Sequence, residues 1–161
     1  MSKTENQRSI RELVNRYYVA YNAQEWQTCL SLLSPHVVHE HPKGRDVGRK
    51  SFEQFVTCTA ERQRFVDISI YASQSGRQAV VEYTVVGTHL NTTKGMSDDG
   101  AQAYRLQGRS IFQIERKIIV FISVYFDLKE CAKQLEIDEV TLSDSFRTAI
   151  EIPRGRRLKA I

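Results

Sequence analysis

Three of the four histidines, His36, His39 and His41, fall within one short stretch. Imidazole has a reference pKa of about 6.5, so a small change of surroundings makes it an acid or a base near neutrality. His39 and His41 lie two apart in Val37-Val38-His39-Glu40-His41. That segment reads as a short strand, and alternation puts both rings on one face. The same spacing could hold a metal ion with Asp127 or His36 as third ligand. Two histidines at i, i+2 are a weak signal, and no protein-bound metal is expected. The plainer role is a ring at the strand edge, bonded to backbone or water. Asp127 follows Ser123-Val124-Tyr125-Phe126. A carboxylate there that faces a cavity would be desolvated, which raises its pKa and suits proton transfer. Its competing role is the N-cap of a helix starting at Leu128. Tyr17, Tyr18 and Tyr21 form an aromatic stripe. A phenol can donate a hydrogen bond to a developing oxyanion, and Tyr18 and Tyr21 read as core. Glu82 is expected to face solvent or to pair with Arg105 or Arg109 of a neighbouring strand.

These residues need elements to position them. Ile10, Leu13, Val14, Tyr17, Tyr18 and Tyr21 recur at steps of three and four, predicting a helix from about Thr4 to Asn22. Trp26, Cys29, Leu30 and Leu33 continue the pattern as a second helix that Ser34-Pro35 ends. The histidine strand closes at Pro42-Lys43-Gly44, and a third helix runs from Arg49 to about Arg62. The period then changes to two. Strands are predicted over about 66–72, 79–90, 104–112 and 117–126, with a polar loop at 91–100 and a short helix over 128–135. Helices first and sequential strands after indicate an α+β fold with a mostly antiparallel sheet.

The chain has 161 residues, enough for one domain. Its net charge of +4 suggests nucleic acid or an anionic membrane until the charges are placed. Arg154, Arg156, Arg157 and Lys159 sit in the last eight residues with no acid. Without those four, the 23 Lys and Arg become 19, equal to the 19 Asp and Glu. No aromatic residue interleaves that basic end, so neither nucleic acid nor membrane is expected as a partner. Cys29, Cys58 and Cys131 are an odd number without CxxC spacing and read as core fillers. With no signal-peptide core at the start, they indicate a reducing cytoplasm. Walker, GxGxxG, GxSxG and HExxH motifs are lacking, which removes the usual signals for nucleotide hydrolysis, serine hydrolysis and common zinc chemistry.

Tyr17-Tyr18-Val19-Ala20-Tyr21-Asn22-Ala23-Gln24-Glu25-Trp26, followed by Leu30-Ser31-Leu32-Leu33-Ser34-Pro35, resembles the opening of the nuclear transport factor 2-like superfamily. Gly48-x-x-x-Phe52-x-x-Phe55 and Tyr125-Phe126-Asp127 with Gln134-Leu135 resemble its SnoaL-like, ketosteroid-isomerase-like branch. Gly87-Thr88-His89-Leu90 with Gly95, Gln102, Tyr104, Gly108 and Phe112 resemble bacterial ketosteroid-isomerase-related proteins. The resemblance covers about residues 8–136, which makes 1–136 a single domain and leaves 137–161 as an extension with a basic end. It implies a cone: a curved mixed or antiparallel sheet wrapped around three N-terminal helices, open over an apolar cavity.

Ketosteroid isomerases use an aspartate base with an oxyanion hole of tyrosine and protonated aspartate. Counted without gaps from Asn22, the tyrosine falls on Tyr17, the base on His41, and the protonated aspartate at or near Gly108. One donor is kept, the base becomes imidazole, and steroid isomerisation by the standard machinery is not expected. In SnoaL-like cyclases the acid/base is an aspartate on the last strand, which Asp127 resembles. The resemblance therefore implies a cofactor-free isomerase or cyclase for a small apolar carbonyl-bearing molecule. Asp127 and His41 would be its acid/base pair, Tyr17 its donor and His39 an orienter. Tyr21, Trp26, Phe55, Tyr104, Gly108, Phe112 and Tyr125 would line the pocket. The alternative is a binding module that uses the same cavity or sheet. A homodimer through the sheet is also implied.

Overall fold

The computed structural model describes residues 2–42, 44–59, 63–89 and 102–135. The expected loop at 91–100 and the extension at 137–161 lie outside them. Helix α1 (Lys3–Asn22) starts on a reciprocal cap. The Ser2 hydroxyl accepts from the Glu5 amide, and the Glu5 carboxylate accepts from the Ser2 amide. Ile10, Val14, Tyr17, Tyr18 and Tyr21 are buried along one face, as their spacing predicts. The helix end is tied to the sheet by Asn22, whose side-chain amide donates to the Phe65 carbonyl and accepts from the Phe65 amide, at 2.8 and 2.9 Å. That two-point clasp gives the Asn of the opening motif a structural task.

Helix α2 (Trp26–Ser31) is shorter than expected. Strand β1 (Leu33–His41) begins before the proline predicted to stop the helix, and it carries Pro35 within it. The β1 register against its neighbour shifts between Leu33 and Val38, so Pro35 occupies the irregular stretch, where a missing N–H costs no regular ladder bond. Strand β2 (Gly44–Val47) then returns antiparallel to β1, an element that the sequence reading lacked. Gly48 turns the chain into α3 (Arg49–Thr59) at φ +94°, a left-handed conformation that favours glycine. The Arg49 guanidinium anchors this start on the Leu33 carbonyl.

Strands β3 (Gln63–Ala72), β4 (Gln78–His89), β5 (Gln102–Glu115) and β6 (Ile118–Phe126) follow, and α4 (Leu128–Gln134) closes the described domain. The six strands form one curved, open sheet in the order β2-β1-β6-β5-β4-β3. Its pairings are antiparallel except β1 against β6, which is parallel. The expected α+β class and mixed sheet are thus observed.

Alternation sorts each strand. Ala79, Val81, Tyr83 and Val85 of β4 pack inward with Leu106, Ser110 and Phe112 of β5 and Ile122 of β6. Glu82 lies on the outer face opposite Arg109, as one of its expected placements requires. Gly108 is required for packing: a Cβ there would stand 2.5 Å from the Tyr83 ring and 3.2 Å from the Tyr125 carbonyl. Among the described residues, no helix is long and apolar enough to cross a membrane.

Candidate functional site

The histidine strand and the short strand beside it build the site. His39 and His41 both point inward from β1, as their spacing predicts, and both are buried. The hairpin register sets Asp46 of β2 directly opposite His39. Its carboxylate is only 1% exposed. His41 Nε2 lies 3.3 Å from Asp46 Oδ2. Helix α3 roofs the group: Phe55 stacks on His41 at 4.5 Å and 13°, and Phe52 meets His39 edge-on at 5.2 Å. The two imidazoles are 5.4 Å apart. Two rings and a carboxylate are thus enclosed by aromatic walls, where charge interactions are strong because water is excluded.

Asp46 is the residue that sequence reasoning missed. Pro42-Lys43-Gly44 reads in sequence as the end of a strand, whereas His41 is paired with Gly44 at the start of a return strand. Counting back along a return strand from that turn would have placed Asp46 across from His39.

Burial drives the His39 imidazole down to about 3, with the neighbouring His41 acting in the same direction. His39 is therefore neutral near pH 7. Because its ordinary value is near 6.5, the unfolded chain takes up a proton in acid that the folded chain refuses. Folding stability should be complete in this respect above about pH 6.5 and fall toward pH 3, by up to about 1.4 kcal/mol per pH unit. Urea unfolding at pH 7, 6 and 5 checks this, and His39→Phe should remove that part of the slope.

Tyr17 is buried among Tyr18, Phe112 and Phe52, with ring centroids at 5.2, 5.3 and 6.3 Å. Burial first, then the neighbouring Cys29 and tyrosines, holds its phenol well above the ordinary value, so it stays protonated. Phe52 touches both Tyr17 and His39 and joins the phenol to the histidine group. Tyr21 packs against Trp26 at 5.4 Å, Phe112 is in the core, and Tyr104 accepts from the Gln63 side chain at 2.9 Å. Cys29 and Cys131 are buried free thiols, pushed up by desolvation to about 12 and about 11, consistent with filling rather than nucleophilic chemistry.

Two expectations are corrected. Tyr125 is 62% exposed: β6 turns Ile122, Val124 and Phe126 inward, so alternation sends Tyr125 to the outer face and not into a pocket. Asp127 does not sit as a desolvated carboxylate over the interior. It is exposed, and Oδ1 accepts from the Lys129 and Glu130 amides at 2.9 and 3.3 Å as the N-cap of α4. Asp127→Ala should therefore cost about 1 kcal/mol of stability, measured by urea unfolding, and leave turnover unchanged.

A cavity of about 240 Å³ lies elsewhere, between α1 and the β3–β4 and β5–β6 turns, where Asn6, Ile10, Arg16, Gly76, Ile114 and Lys117 line it. None of the three buried polar residues reaches it.

The model of the SnoaL-like domain family matches residues 14–120. No curated protein matches the chain. Among solved structures, a candidate polyketide cyclase of Xanthomonas campestris is 28% identical with a TM-score of 0.74, over 81% of this chain and 98% of that one. Another from Pseudomonas putida is 30% identical with a TM-score of 0.68, over 83% and 98%. A candidate ketosteroid isomerase of Kribbella flavida shares the fold at 18% identity and a TM-score of 0.58, over 76% and 80%. The match includes α1 from Val14 onward, the histidine strand and its hairpin, and the sheet through β5, and on it the chain belongs to the SnoaL-like domain family of the nuclear transport factor 2-like superfamily.

Proposed function

We propose that the protein is an isomerase or cyclase that moves a proton on a small apolar carbonyl-bearing substrate, polyketide-, steroid- or terpenoid-like, without an organic cofactor. The buried His41–Asp46 pair carries this reading. With the Nε2 proton directed at Asp46, His41 keeps its basic lone pair on Nδ1. That nitrogen takes the proton from the carbon beside the carbonyl, and the electron pair of the broken C–H bond moves into an enolate. Asp46 stabilises the imidazolium so formed, as a carboxylate does for histidine in other acid/base sites. Tyr17, held protonated, donates to the enolate oxygen. His39, neutral at working pH, orients the substrate without adding a second charge. The imidazolium then returns its proton to another carbon, or to the alkoxide formed when the enolate closes a ring. The two cyclase-like structures at 28% and 30% identity support this class of reaction.

The close aromatic packing around Tyr17 favours a second reading, a module that binds an apolar ligand without converting it. One experiment separates them. Apolar ketones and β-diketones are incubated with the protein in D₂O, and deuterium at the carbon beside the carbonyl is followed by NMR. The enzyme reading predicts exchange well above buffer. Ligand binding at the same rate of exchange as buffer would favour the module.

The outer sheet face is where we place a second copy of the chain. Tyr71, Val80, Ile111 and Tyr125 are exposed on it, an apolar set that water does not favour. Sedimentation should give twice the chain mass, and Ile111→Asp with Tyr125→Asp should give the monomer. A monomeric wild type would contradict this assembly.

A further inference from the structure

We infer that His39, His41 and Asp46 form a binding site for a first-row divalent transition-metal ion, of the zinc, cobalt or nickel kind. One ligand atom from each of the three lies within 4.8 Å of the others, and all three residues are buried. Two donors bound to one ion at about 2.1 Å each stand roughly 3.0–3.4 Å apart in octahedral or tetrahedral geometry. The His41 Nε2 to Asp46 Oδ2 separation of 3.3 Å already meets that requirement. The His39 donor lies within 4.8 Å of both.

A second observation points the same way. His39 Nδ1 is shut off from solvent and has no hydrogen-bond partner among the described residues. Buried polar atoms are normally satisfied, and an imidazole nitrogen left with a lone pair is a ligand awaiting an acid. With both imidazoles neutral, the set would offer two nitrogens and one anionic oxygen. Such a set suits ions of intermediate softness and not Mg²⁺ or Ca²⁺, which require a shell of oxygens. Entry is through β2, a four-residue edge strand held by β1 alone within the sheet, which can open locally without disturbing the core.

This inference goes beyond the isomerase reading and does not depend on it, since it concerns ion binding. The two meet at one point. An ion on His41 Nε2 takes the place of the proton shared with Asp46 and adds positive charge to the ring, which lowers the basicity of Nδ1, so the metal-loaded protein should lose exchange activity while the apo-protein retains it.

The test is Co²⁺ titration of the full chain after chelator treatment, read by visible d–d absorption and by equilibrium dialysis. One equivalent should bind, with bands of low coordination number, and Mg²⁺ should not compete. His39→Ala and Asp46→Asn should each weaken Co²⁺ binding at least about 10²-fold, whereas His36→Ala, at an exposed position, should leave it unchanged. Circular dichroism establishes that each variant is folded. Should a variant not fold, the wild-type titration decides: well under one equivalent at 100 µM Co²⁺ overturns the site. Binding that persists in both variants, or that is lost in His36→Ala, overturns it as well. Metal binding by a protein whose apo form shows no exchange activity would contradict the isomerase reading only, and exchange without metal binding would contradict the metal site only.

Discussion

His41→Ala is expected to lower turnover by about 10²-fold or more while the fold persists. The magnitude follows from what the ring supplies. A positioned general base contributes typically about 10²–10⁴-fold, and His41 is positioned twice, by the Asp46 carboxylate at 3.3 Å and by the face of Phe55 at 4.5 Å. The pair acts as a unit, so removing Asp46 after His41 should add little further loss. Stability should fall much less than activity, because an alanine at 41 removes a ring from the edge of the aromatic cluster and not from its centre. Turnover by the purified variant, with thermal unfolding as control, reads both. A wild-type rate in His41→Ala would remove imidazole from the chemistry.

The largest stability effect should come from Phe112→Ala. Phe112 is fully buried near the C-terminal end of β5 and meets Tyr17 at 5.3 Å and Tyr18 at 5.8 Å, so it joins the sheet to α1. Cutting a buried phenylalanine to alanine costs about 3–5 kcal/mol, from lost burial and from the cavity left behind. Neighbours can do little to refill the space: Tyr83 is committed to Ser110 at 2.8 Å, and Tyr18 is packed against both Phe65 and Tyr83. In a chain of this size the midpoint of thermal unfolding should drop by about 10 °C. A loss below about 1 kcal/mol would show that the Phe112 ring does not bridge helix and sheet as described.

Much of the fold was legible because the periodicities are strong. The stripe from Ile10 to Tyr21 and the alternation from Tyr104 to Phe112 each bury the side chains that they predict, with Leu13 and Tyr104 half-buried. Pro35 misled, since its usual effect of ending a helix was read where the chain had already passed into an irregular strand. At the site, His39 and His41 share a face by elementary strand geometry, but their partner could not be read the same way. Four residues from Gly44 to Val47 are too few to show a period, so the strand carrying Asp46 left no pattern, and the carboxylate was sought at Asp127 instead. Asp127 shows the opposite problem. An aspartate before a helix satisfies the cap and the acid/base role equally well in sequence, and only the amides of Lys129 and Glu130 decide between them. The outward turn of Tyr125 follows from the register of β6 against β5, a long-range property that no local pattern carries.

The central claim is that the carboxylate working with His41 is Asp46. Its most direct test is the rate of deuterium incorporation beside a ketone carbonyl, measured by NMR for Asp46→Asn and Asp127→Asn side by side. Asparagine keeps both the shape of the site residue and the capping ability at 127, so only the charge is removed. The predicted result is a loss of about 10²-fold or more for Asp46→Asn and a wild-type rate for Asp127→Asn. A wild-type rate for Asp46→Asn with the loss at Asp127→Asn would contradict the account.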